Sequence, residues 1–334
     1  MKIVVHTKET EYAVVLERGA LAKASQMIHL SGQAFIVSDD GVPEKWVRQL
    51  QAQFPQAAVY IFPNGEASKN FATLQEILKA MQKAHLSRQD TLIAIGGGVV
   101  GDMAGFASAI YMRGIRYINI PTTSLSQIDS SIGGKTAIDF NGVKNSVGAF
   151  WPPDLVLADP DTLATLPPRQ LHNGLAEAVK EGLICDAGLF AVFEKEKPED
   201  HLEEIIARCL KIKKEIVEKD EKENGERKLL NFGHTFGHAY EAYFGMDGYL
   251  HGECVGLGMM TVLNDPELKE RLRKVLQKLQ LPTAYQCDPK KIYQLMLLDK
   301  KADHDHISMV QVDTIGRGYL ADWSLAQVKE RLGI

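Results

Sequence analysis

The sequence is short of cysteine, and the four that it has, Cys185, Cys209, Cys254 and Cys287, lie far apart without a Cys-x-x-Cys pair. This spacing excludes a cysteine zinc knuckle and gives no sign of a disulfide framework. Excess positive charge is also lacking, because 38 Lys and Arg against 43 Asp and Glu give a formal net charge of −5. That balance argues against a nucleic-acid-binding surface.

Long apolar runs are missing as well. No stretch approaches membrane-spanning length, and the apolar part of the N-terminal MKIVVHTKE is too short for a signal peptide. Together with the cysteine and charge counts, this predicts a cytoplasmic protein that binds neither nucleic acid nor a membrane. The remaining composition is that of an ordinary globular protein, with 45% hydrophobic and 24% charged residues in 334, which is enough for two domains.

The first 152 residues alternate between strand-like and helix-like patterns. Helical patterns such as FATLQEILKAMQKAHL separate short apolar runs that end in Gly, Pro, Asp or Thr, namely QAFIVSDD, AAVYIFPNGE, TLIAIGGG and IRYINIPTT. Such alternation predicts an α/β domain with a mostly parallel, Rossmann-like sheet over residues 1–152.

The pattern changes in the proline-rich stretch FWPPDLVLADPDTLATLPP, and residues 153–334 are predicted to form a mainly α-helical domain. Apolar periodicity predicts the helices at 172–185, 201–222, 230–243, 252–263 and 266–280. Asp265 is the expected N-cap of the last of these helices, with Pro266 at its first position.

A glycine-rich turn in IAIGGGVVGD contains Gly96-x-Gly98-x-x-Gly101 between a predicted strand and a predicted helix. Glycines in this position let the backbone approach a pyrophosphate at the helix N-terminus. The usual dinucleotide fingerprint has an acidic residue about 20 positions later. Here that stretch reads YINIPTT, and the acid lies upstream as Asp39. The motif predicts a phosphate-binding turn outside a standard Rossmann unit, with glycines used for packing alone as the alternative.

A second segment, DSSIGGKTAID, ends like a P-loop. A P-loop would need a glycine at position 129, where the sequence has Asp129, and this excludes the motif. The remaining interpretation is a sharply folded polar loop that offers Asp129, Lys135, Lys144 and Asn145.

Three histidines, each next to a glycine, stand in NFGHTFGHAYEAYFGMDGYLHGE. His234 and His238 are four residues apart, which places them on one helix face at a spacing common for metal ligands. His251 follows His234 by 17 residues and can join them only if the chain turns back in FGMDGY, at Gly245 and Gly248. Which of the three contact a metal is left open by the spacing.

A catalytic zinc ion takes three protein ligands, and without suitable cysteines a carboxylate is the expected third. Glu177 in NGLAEAVKEGLI is a candidate, with Lys180 one turn later among apolar residues. The alternative is a surface Glu177–Lys180 ion pair and histidines that serve as caps or core residues. Lys213 interrupts an apolar helix stripe, so it either reaches out to water or meets a buried anion.

Several blocks, in order, carry a resemblance to a known family: GGGVVGDMAGFASAIYMRGI, IPTTSLSQIDSSIGGKTAID, GLAEAVKEGLICD, NFGHTFGHAYE and HGECVGLG. Over almost its whole length the chain resembles the 3-dehydroquinate synthases, which belong to the sugar phosphate cyclases. The resemblance implies that Glu177, His234 and His251 bind Zn²⁺ or Co²⁺, and that His238 faces the substrate instead of the metal.

The resemblance also implies two further sets of residues and a catalytic group. The implied NAD contacts are Asp39, Glu66, Lys69, Gly97, Gly98, Val99, Asp102, Thr122, Thr123 and Thr165. The implied substrate contacts are Arg113, Lys135, Lys144, Asn145, Lys213, Arg227, Asn231 and Lys300. The implied catalytic residues are His238, Lys180, Asp129 and Glu223.

The reaction implied by the resemblance converts 3-deoxy-D-arabino-heptulosonate 7-phosphate, a sugar acid phosphate, into 3-dehydroquinate and phosphate. NAD is regenerated in each turnover, and a divalent metal activates substrate hydroxyls. Family members are homodimers in which an arginine, here Arg113, reaches the neighbouring subunit's site. Three alternatives stay open: a metal-dependent polyol or glycerol phosphate dehydrogenase, another sugar phosphate cyclase, and a non-catalytic phosphosugar-binding regulator.

Overall fold

The computed structural model describes residues 1–245, 248–299 and 306–334, and these residues form two compact units. The N-terminal unit comprises Met1–Pro167 together with Lys213–Glu218, and the C-terminal unit comprises Pro168–Ile212 together with Lys219–Ile334. None of the helices in these ranges combines the length and apolarity that crossing a bilayer requires.

The strands of the N-terminal unit are β1 Lys2–His6, β2 Glu11–Leu16, β3 Ala34–Asp39, β4 Ala58–Phe62, β5 Thr91–Gly96, β6 Arg116–Pro121, β7 Lys135–Phe140, β8 Val143–Phe150 and β9 Leu155–Ala158. Seven of them form one sheet with the strand order β1-β2-β9-β6-β5-β3-β4. The β1–β2 pair is antiparallel and the other pairs of this sheet are parallel, which confirms the predicted mostly parallel sheet. The helices of this unit are α1 Ala24–Met27, α2 Glu44–Gln51, α3 Phe71–Lys83 and α4 Gly98–Ile110.

Both faces of this sheet are covered, as expected for parallel strands that read as continuous apolar runs. Along β3, Ile36 packs in one core cluster while Phe35 and Val37 pack in the other. On β5, Ile93 and Leu92 divide in the same way. The carboxyl ends of these strands therefore converge at one edge of the sheet, where a ligand site is expected.

The polar loop suggested by the sequence was wrong for Lys135, Lys144 and Asn145, which lie on a β-hairpin, whereas Asp129 precedes the hairpin in the helical turn Ser126–Ser130. Strands β7 and β8 pair with each other, and Asn141 and Gly142 form the turn with φ values of 52° and 79°. Positive φ at both central residues is the geometry of a type I′ hairpin turn. Ile138 is fully buried, while β8 is mostly exposed and shows no regular apolar alternation. The hairpin thus carries Lys135, Lys144 and Asn145 on strands.

The described residues of the C-terminal unit are mainly helical, as predicted, and the five predicted helices are present with small shifts of their ends. A hairpin of β10 His306–Thr314 and β11 Arg317–Ser324 was not predicted. The helices from residue 168 onwards are α5 Pro168–Ile184, α6 Ala187–Lys195, α7 Leu202–Lys219, α8 His234–Phe244, α9 His251–Val262, α10 Pro266–Lys278, α11 Pro289–Asp299 and α12 Leu325–Leu332. Of α7, the part Lys213–Glu218 belongs to the N-terminal unit.

Glycines let α5, α8 and α9 approach one another at backbone distance. A Cβ atom at Gly258 would lie 1.9 Å from the carbonyl oxygen of Gly233, and one at Gly252 would lie 1.9 Å from that of Asn173. Larger residues would force these helices apart. Because α8 and α9 begin with His234 and His251, this close packing decides where the two imidazoles lie.

The predicted N-cap of α10 is confirmed and allows a test of local stability. Asp265 accepts a hydrogen bond from the Leu268 amide at 2.8 Å, with Pro266 at the first helical position. We expect Asp265→Ala to lower the free energy of unfolding by about 1 kcal/mol, because it removes this cap. Differential scanning calorimetry would measure the fall in melting temperature. Gln277→Ala on the exposed face of the same helix is the control, and equal melting temperatures for the two variants would contradict the assignment.

Candidate functional site

Three side chains from three helices of the C-terminal unit converge on one point. Glu177 comes from the middle of α5, whereas His234 and His251 are the first residues of α8 and α9. Glu177 Oε1 lies 3.5 Å from His234 Nε2 and 3.5 Å from His251 Nε2, and one ligand atom of each residue lies within 4.8 Å of the others. Ligands about 2.0–2.2 Å from a tetrahedral zinc ion are themselves roughly 3.3–3.6 Å apart. The three atoms therefore fit one divalent cation, and we call them the ligand cluster.

The burial and negative charge of Glu177 also favour a bound cation. Its side chain is 1% exposed, and Lys180, also 1% exposed, donates to Oε2 at 2.5 Å. Among the described residues, the buried Oε1 atom has no hydrogen-bond donor. Burial alone would raise the pKa of Glu177, but the Lys180 ammonium and the two imidazoles outweigh burial and hold this pKa well below its usual range. The alternative of a surface Glu177–Lys180 pair is wrong, and the bare anionic oxygen points into the ligand cluster.

The outer nitrogens of both imidazoles contact oxygen atoms of the protein. His234 Nδ1 lies 3.2 Å from the Phe232 carbonyl oxygen, and His251 Nδ1 lies 3.3 Å from Glu241 Oε2. Metal-binding histidines usually donate their second N–H in this way, which fixes the ring and the tautomer. Glu241 was not predicted from the sequence, although its spacing of seven residues from His234 on one helix was an available signal.

The two imidazoles differ in proton affinity. Burial lowers the pKa of His234 to about 3, so this ring is neutral. Burial also acts to lower the pKa of His251, but the neighbouring carboxylates of Glu177 and Glu241 raise it to about 10. A cation bound at Nε2 would take the place of that proton, so metal and proton compete at His251.

His238 lies beside the ligand cluster without belonging to it. Its ring centroid is 5.5 Å from that of His234 and 5.8 Å from that of His251. In the described part of the chain, the potential metal-ligating group consists of Glu177, His234 and His251. The four-residue spacing of His234 and His238 by itself would have selected the wrong pair.

In the N-terminal unit, the glycine turn joins β5 to α4 at the carboxyl edge of the sheet. Gly97 is the N-cap of α4, and Gly98 is its first residue. A Cβ atom at Gly97 would lie 3.0 Å from the Thr123 side chain, so the turn packs directly on the residues that follow β6. A cleft at this place has as its lining residues Gly97, Gly98, Gly101, Asp102, Tyr117, Asn119, Ser126, Ser130, Ser131, Gly134, Lys135, Thr136, Trp151 and Pro153.

Lys69 brings five of the predicted residues together. Its side chain is 4% exposed and donates to Asp102 at 2.7 Å and to Asn145, with Glu66 at 3.7 Å. Lys144 lies 3.7 Å from the same Glu66. Burial outweighs the nearby ammonium and raises the pKa of Asp102 to about 6. Residues predicted for cofactor and for substrate binding thus form one polar cluster.

Lys213 does not reach out to water, because it is 6% exposed and forms an ion pair with Asp129. Both residues belong to the N-terminal unit. Of the two interpretations of this lysine, contact with an anion is confirmed, and the protein itself supplies a carboxylate. Asp129, predicted to be catalytic, and Lys213, predicted to bind substrate, therefore form one ion pair.

The remaining predicted residues are distributed more widely. In the C-terminal unit, Asn231 donates to Glu223 at 2.7 Å, and Arg227 is buried with its guanidinium donating to the Glu221 carbonyl. In the N-terminal unit, burial raises the pKa of Asp39 at the end of β3. The others lie as follows: Val99 in the first turn of α4, Thr122 just after β6, Thr165 accepting from Trp46 at 2.8 Å, Arg113 exposed after α4, and Lys300 outside the described residues.

Comparison of the sequence with family models gives two matches. Residues 59–173 match the model of the 3-dehydroquinate synthase N-terminal domain, and residues 174–302 match that of its C-terminal domain. The 3-dehydroquinate synthase of Psychrobacter cryohalolentis is 39% identical, covering 96% of this chain and 93% of the relative. That of Clostridium acetobutylicum is 38% identical, covering 92% of each chain.

Solved structures with the same fold include two synthases. A 2-deoxy-scyllo-inosose synthase, complexed with carbaglucose-6-phosphate, NAD⁺ and Co²⁺, has a TM-score of 0.90 and 25% identity, and 99% of each chain is covered. The 2-epi-5-epi-valiolone synthase of Streptomyces hygroscopicus, with NAD⁺ and Zn²⁺ bound, has a TM-score of 0.87 and 30% identity. This comparison covers 99% of this chain and 98% of the other.

The geometry of the three histidines predicts different behaviour for two matched variants. His251→Ala removes a member of the ligand cluster, so we expect it to abolish stoichiometric metal binding. His238→Ala leaves the cluster complete, so we expect it to retain the metal and to lose turnover. Metal analysis of the purified variants by mass spectrometry would measure this, and the reverse pattern would overturn the ligand set.

Proposed function

This chain belongs to the 3-dehydroquinate synthase family, and we propose that it converts 3-deoxy-D-arabino-heptulosonate 7-phosphate into 3-dehydroquinate and phosphate. The reaction is a step of the shikimate pathway, and it uses catalytic NAD and a divalent metal ion. The observation that carries the proposal is the convergence of Glu177, His234 and His251, with one buried carboxylate oxygen left to a cation. The family membership supplies the substrate.

The ligand cluster would hold the metal through Glu177 Oε1 and the Nε2 atoms of His234 and His251. When bound there, a divalent cation would lower the pKa of substrate hydroxyl groups as a Lewis acid. Lys180 neutralises the second oxygen of Glu177 and fixes its orientation. Glu241 and the Phe232 carbonyl oxygen hold the imidazoles with Nε2 directed into the cluster.

The N-terminal unit would hold NAD at the glycine turn. When bound there, NAD would supply reversible hydride transfer. The first amides of α4, at Gly98 and Val99, lack acceptors within the helix, so they suit pyrophosphate oxygens. Asp39 at the end of β3 suits the ribose hydroxyls, since its carboxylate lies at the same edge of the sheet. The Lys69 cluster holds Asp102 and Glu66 in place beside the turn.

The substrate carries a phosphate and a carboxylate, so it needs cationic partners in spite of the net charge of −5. We assign Lys213 and Arg227 to the carboxylate, because both are buried and each already contacts an oxygen of the protein. A substrate carboxylate would take the place of Asp129 on Lys213. The phosphate partners are proposed to be Lys135, Asn231, His238, Lys300 and Arg113. His238 would in addition relay a proton through its ring nitrogens.

A stoichiometric test separates this proposal from a polyol or glycerol phosphate dehydrogenase. With the heptulosonate phosphate and NAD far below the substrate concentration, we expect many turnovers of phosphate release. Removal of the metal by a chelator should stop phosphate release, and Zn²⁺ or Co²⁺ should restore it. Release is measured as free inorganic phosphate, with NADH followed by absorbance. One NADH formed per product molecule would point to the dehydrogenase, and absence of any release would reject the proposed substrate.

We also propose a homodimer in which Arg113 completes the neighbouring subunit's site. In support, the N-terminal unit exposes large apolar side chains beside this arginine and on the β7–β8 hairpin. Met112 is 48% exposed, Phe140 52%, Val143 56% and Phe150 44%, and methionine and aromatic side chains are enriched where a partner protein covers the surface. A second copy of the chain is the partner that a shared site requires.

Subunit mixing tests the role of Arg113. Arg113→Ala and His251→Ala are each expected to be inactive, since each lacks a part of every site. Mixed at equal amounts and allowed to exchange, they should recover about a quarter of wild-type activity, because half of the dimers then hold one complete site. Arg48→Ala, which changes an exposed arginine on α2, is the control and should stay active. No recovery, although native mass spectrometry shows mixed dimers, would place Arg113 in its own subunit's site or in none.

A further inference from the structure

We propose that Arg169 and Asn173 on α5 are positioning residues for the metal centre, because they hold the first turn of α9 and thereby place His251. This inference rests on the proposed metal site of the C-terminal unit. It adds two side chains that belong neither to the ligand cluster nor to the residues assigned to the substrate. We call their contacts with Gly248, Leu250, Gly252 and Glu253 the α5–α9 clamp.

The first half of the clamp is a hydrogen bond to the helix backbone. Asn173 Oδ1 accepts from the Gly252 amide at 2.6 Å, and Asn173 is 5% exposed. Amides in the first turn of a helix have no partner inside the helix, so this side chain satisfies one of them. Gly252 directly follows His251, and its lack of a side chain permits the backbone contact with α5.

The second half is a paired ion contact. Arg169 donates to Glu253 through two parallel bonds, Nε to Oε1 at 2.7 Å and Nη2 to Oε2 at 2.8 Å. Arg169 Nη2 also donates to the Gly248 carbonyl at 3.0 Å, and Glu253 Oε2 accepts from the Leu250 amide at 2.7 Å. A two-bond arginine–carboxylate contact fixes direction as well as distance. The segment entering α9 and the first turn of α9 are thus tied to one guanidinium.

The two clamp residues Arg169 and Asn173 lie on the same face of α5 as the metal ligand Glu177. Arg169, Asn173 and Glu177 follow one another at intervals of four residues on α5, which places them in a row. The row meets α9 at Glu253 and Gly252 and then meets His251 through Glu177. The 3.5 Å separation between Glu177 Oε1 and His251 Nε2 therefore depends on how the clamp seats α9 on α5.

The exposure of the ion pair favours a positioning role over a role in stability. The Arg169 side chain is 58% exposed, against 6% for Glu253. The guanidinium end of the pair lies in water, and buried Glu253 keeps the Leu250 amide as a donor, so we expect the loss of the pair to cost little folding free energy. A contact of this kind can nevertheless decide an orientation, and tetrahedral metal sites tolerate small displacements of a ligand poorly.

The test uses Arg169→Gln in the full-length chain, which keeps a polar side chain but removes the paired contact. We expect its affinity for Zn²⁺ to fall about 10- to 100-fold in competition with a chelating dye, with an almost unchanged melting temperature of the metal-free protein. The visible absorption of the Co²⁺-loaded variant should also change, because the ligand field at His251 is altered. Arg169→Lys should recover only part of the affinity, since one ammonium cannot form two parallel bonds.

The matched control is Arg271→Gln in the same unit. Arg271 contacts Glu194 through the same paired geometry, at 2.7 and 2.9 Å, but on α10 and α6, away from the ligand cluster. We expect wild-type zinc affinity and an unchanged Co²⁺ spectrum. The inference is overturned if Arg169→Gln binds zinc like the wild type, or if both glutamine variants weaken binding equally. A wild-type protein that binds no metal would instead refute the proposed function itself.

Discussion

The C-terminal unit is organised around one buried carboxylate that its surroundings neutralise only in part. Lys180 compensates one oxygen of Glu177, while Oε1 faces two imidazole nitrogens. Removing an ionised group from water costs several kcal/mol unless opposite charge is close by. A divalent cation between Glu177, His234 and His251 would supply that charge. The close packing of α5, α8 and α9 at their glycines also favours a bound cation, because it allows three helices to present ligands to one ion.

The N-terminal unit presents backbone amides and a few charged side chains at the edge of its parallel sheet. Its central strands β3, β5, β6 and β9 are buried on both faces, so the polar groups concentrate where these strands end. Lys69 is the centre of this edge, since it joins Asp102 on α4 to Asn145 on the β7–β8 hairpin. The Lys213–Asp129 pair adds a cation whose present partner is a carboxylate of the protein. In the Lys69–Asp102 and Lys213–Asp129 ion pairs, an anionic ligand can replace the carboxylate as the partner of the lysine.

Much of the fold could be predicted from local patterns. Helices α5, α7, α8, α9 and α10 follow apolar periodicity and capping residues, and the parallel strands β3 to β6 follow continuous apolar runs. Helices α6, α11 and α12 were not predicted. The β7–β8 hairpin was missed, because the exposed strand VKNSVGAF has no alternation to signal it, although Asn141-Gly142 was a turn signal. The ion-pair partner of Lys213 could not be predicted either, because a position on an apolar helix stripe does not indicate which residue, here Asp129, lies opposite.

The amino-acid sequence by itself determined the class of fold, the glycine turn, and the presence of three histidines and an acid suited to a metal. Only the tertiary structure decided which histidine joins Glu177. His238 is closer to His234 along the chain, yet His251 enters the ligand cluster and His238 stays beside it. The physical reason is that ligand geometry depends on how helices pack. Gly252, Asn173 and the Arg169–Glu253 contact fix that packing through atoms far apart in sequence.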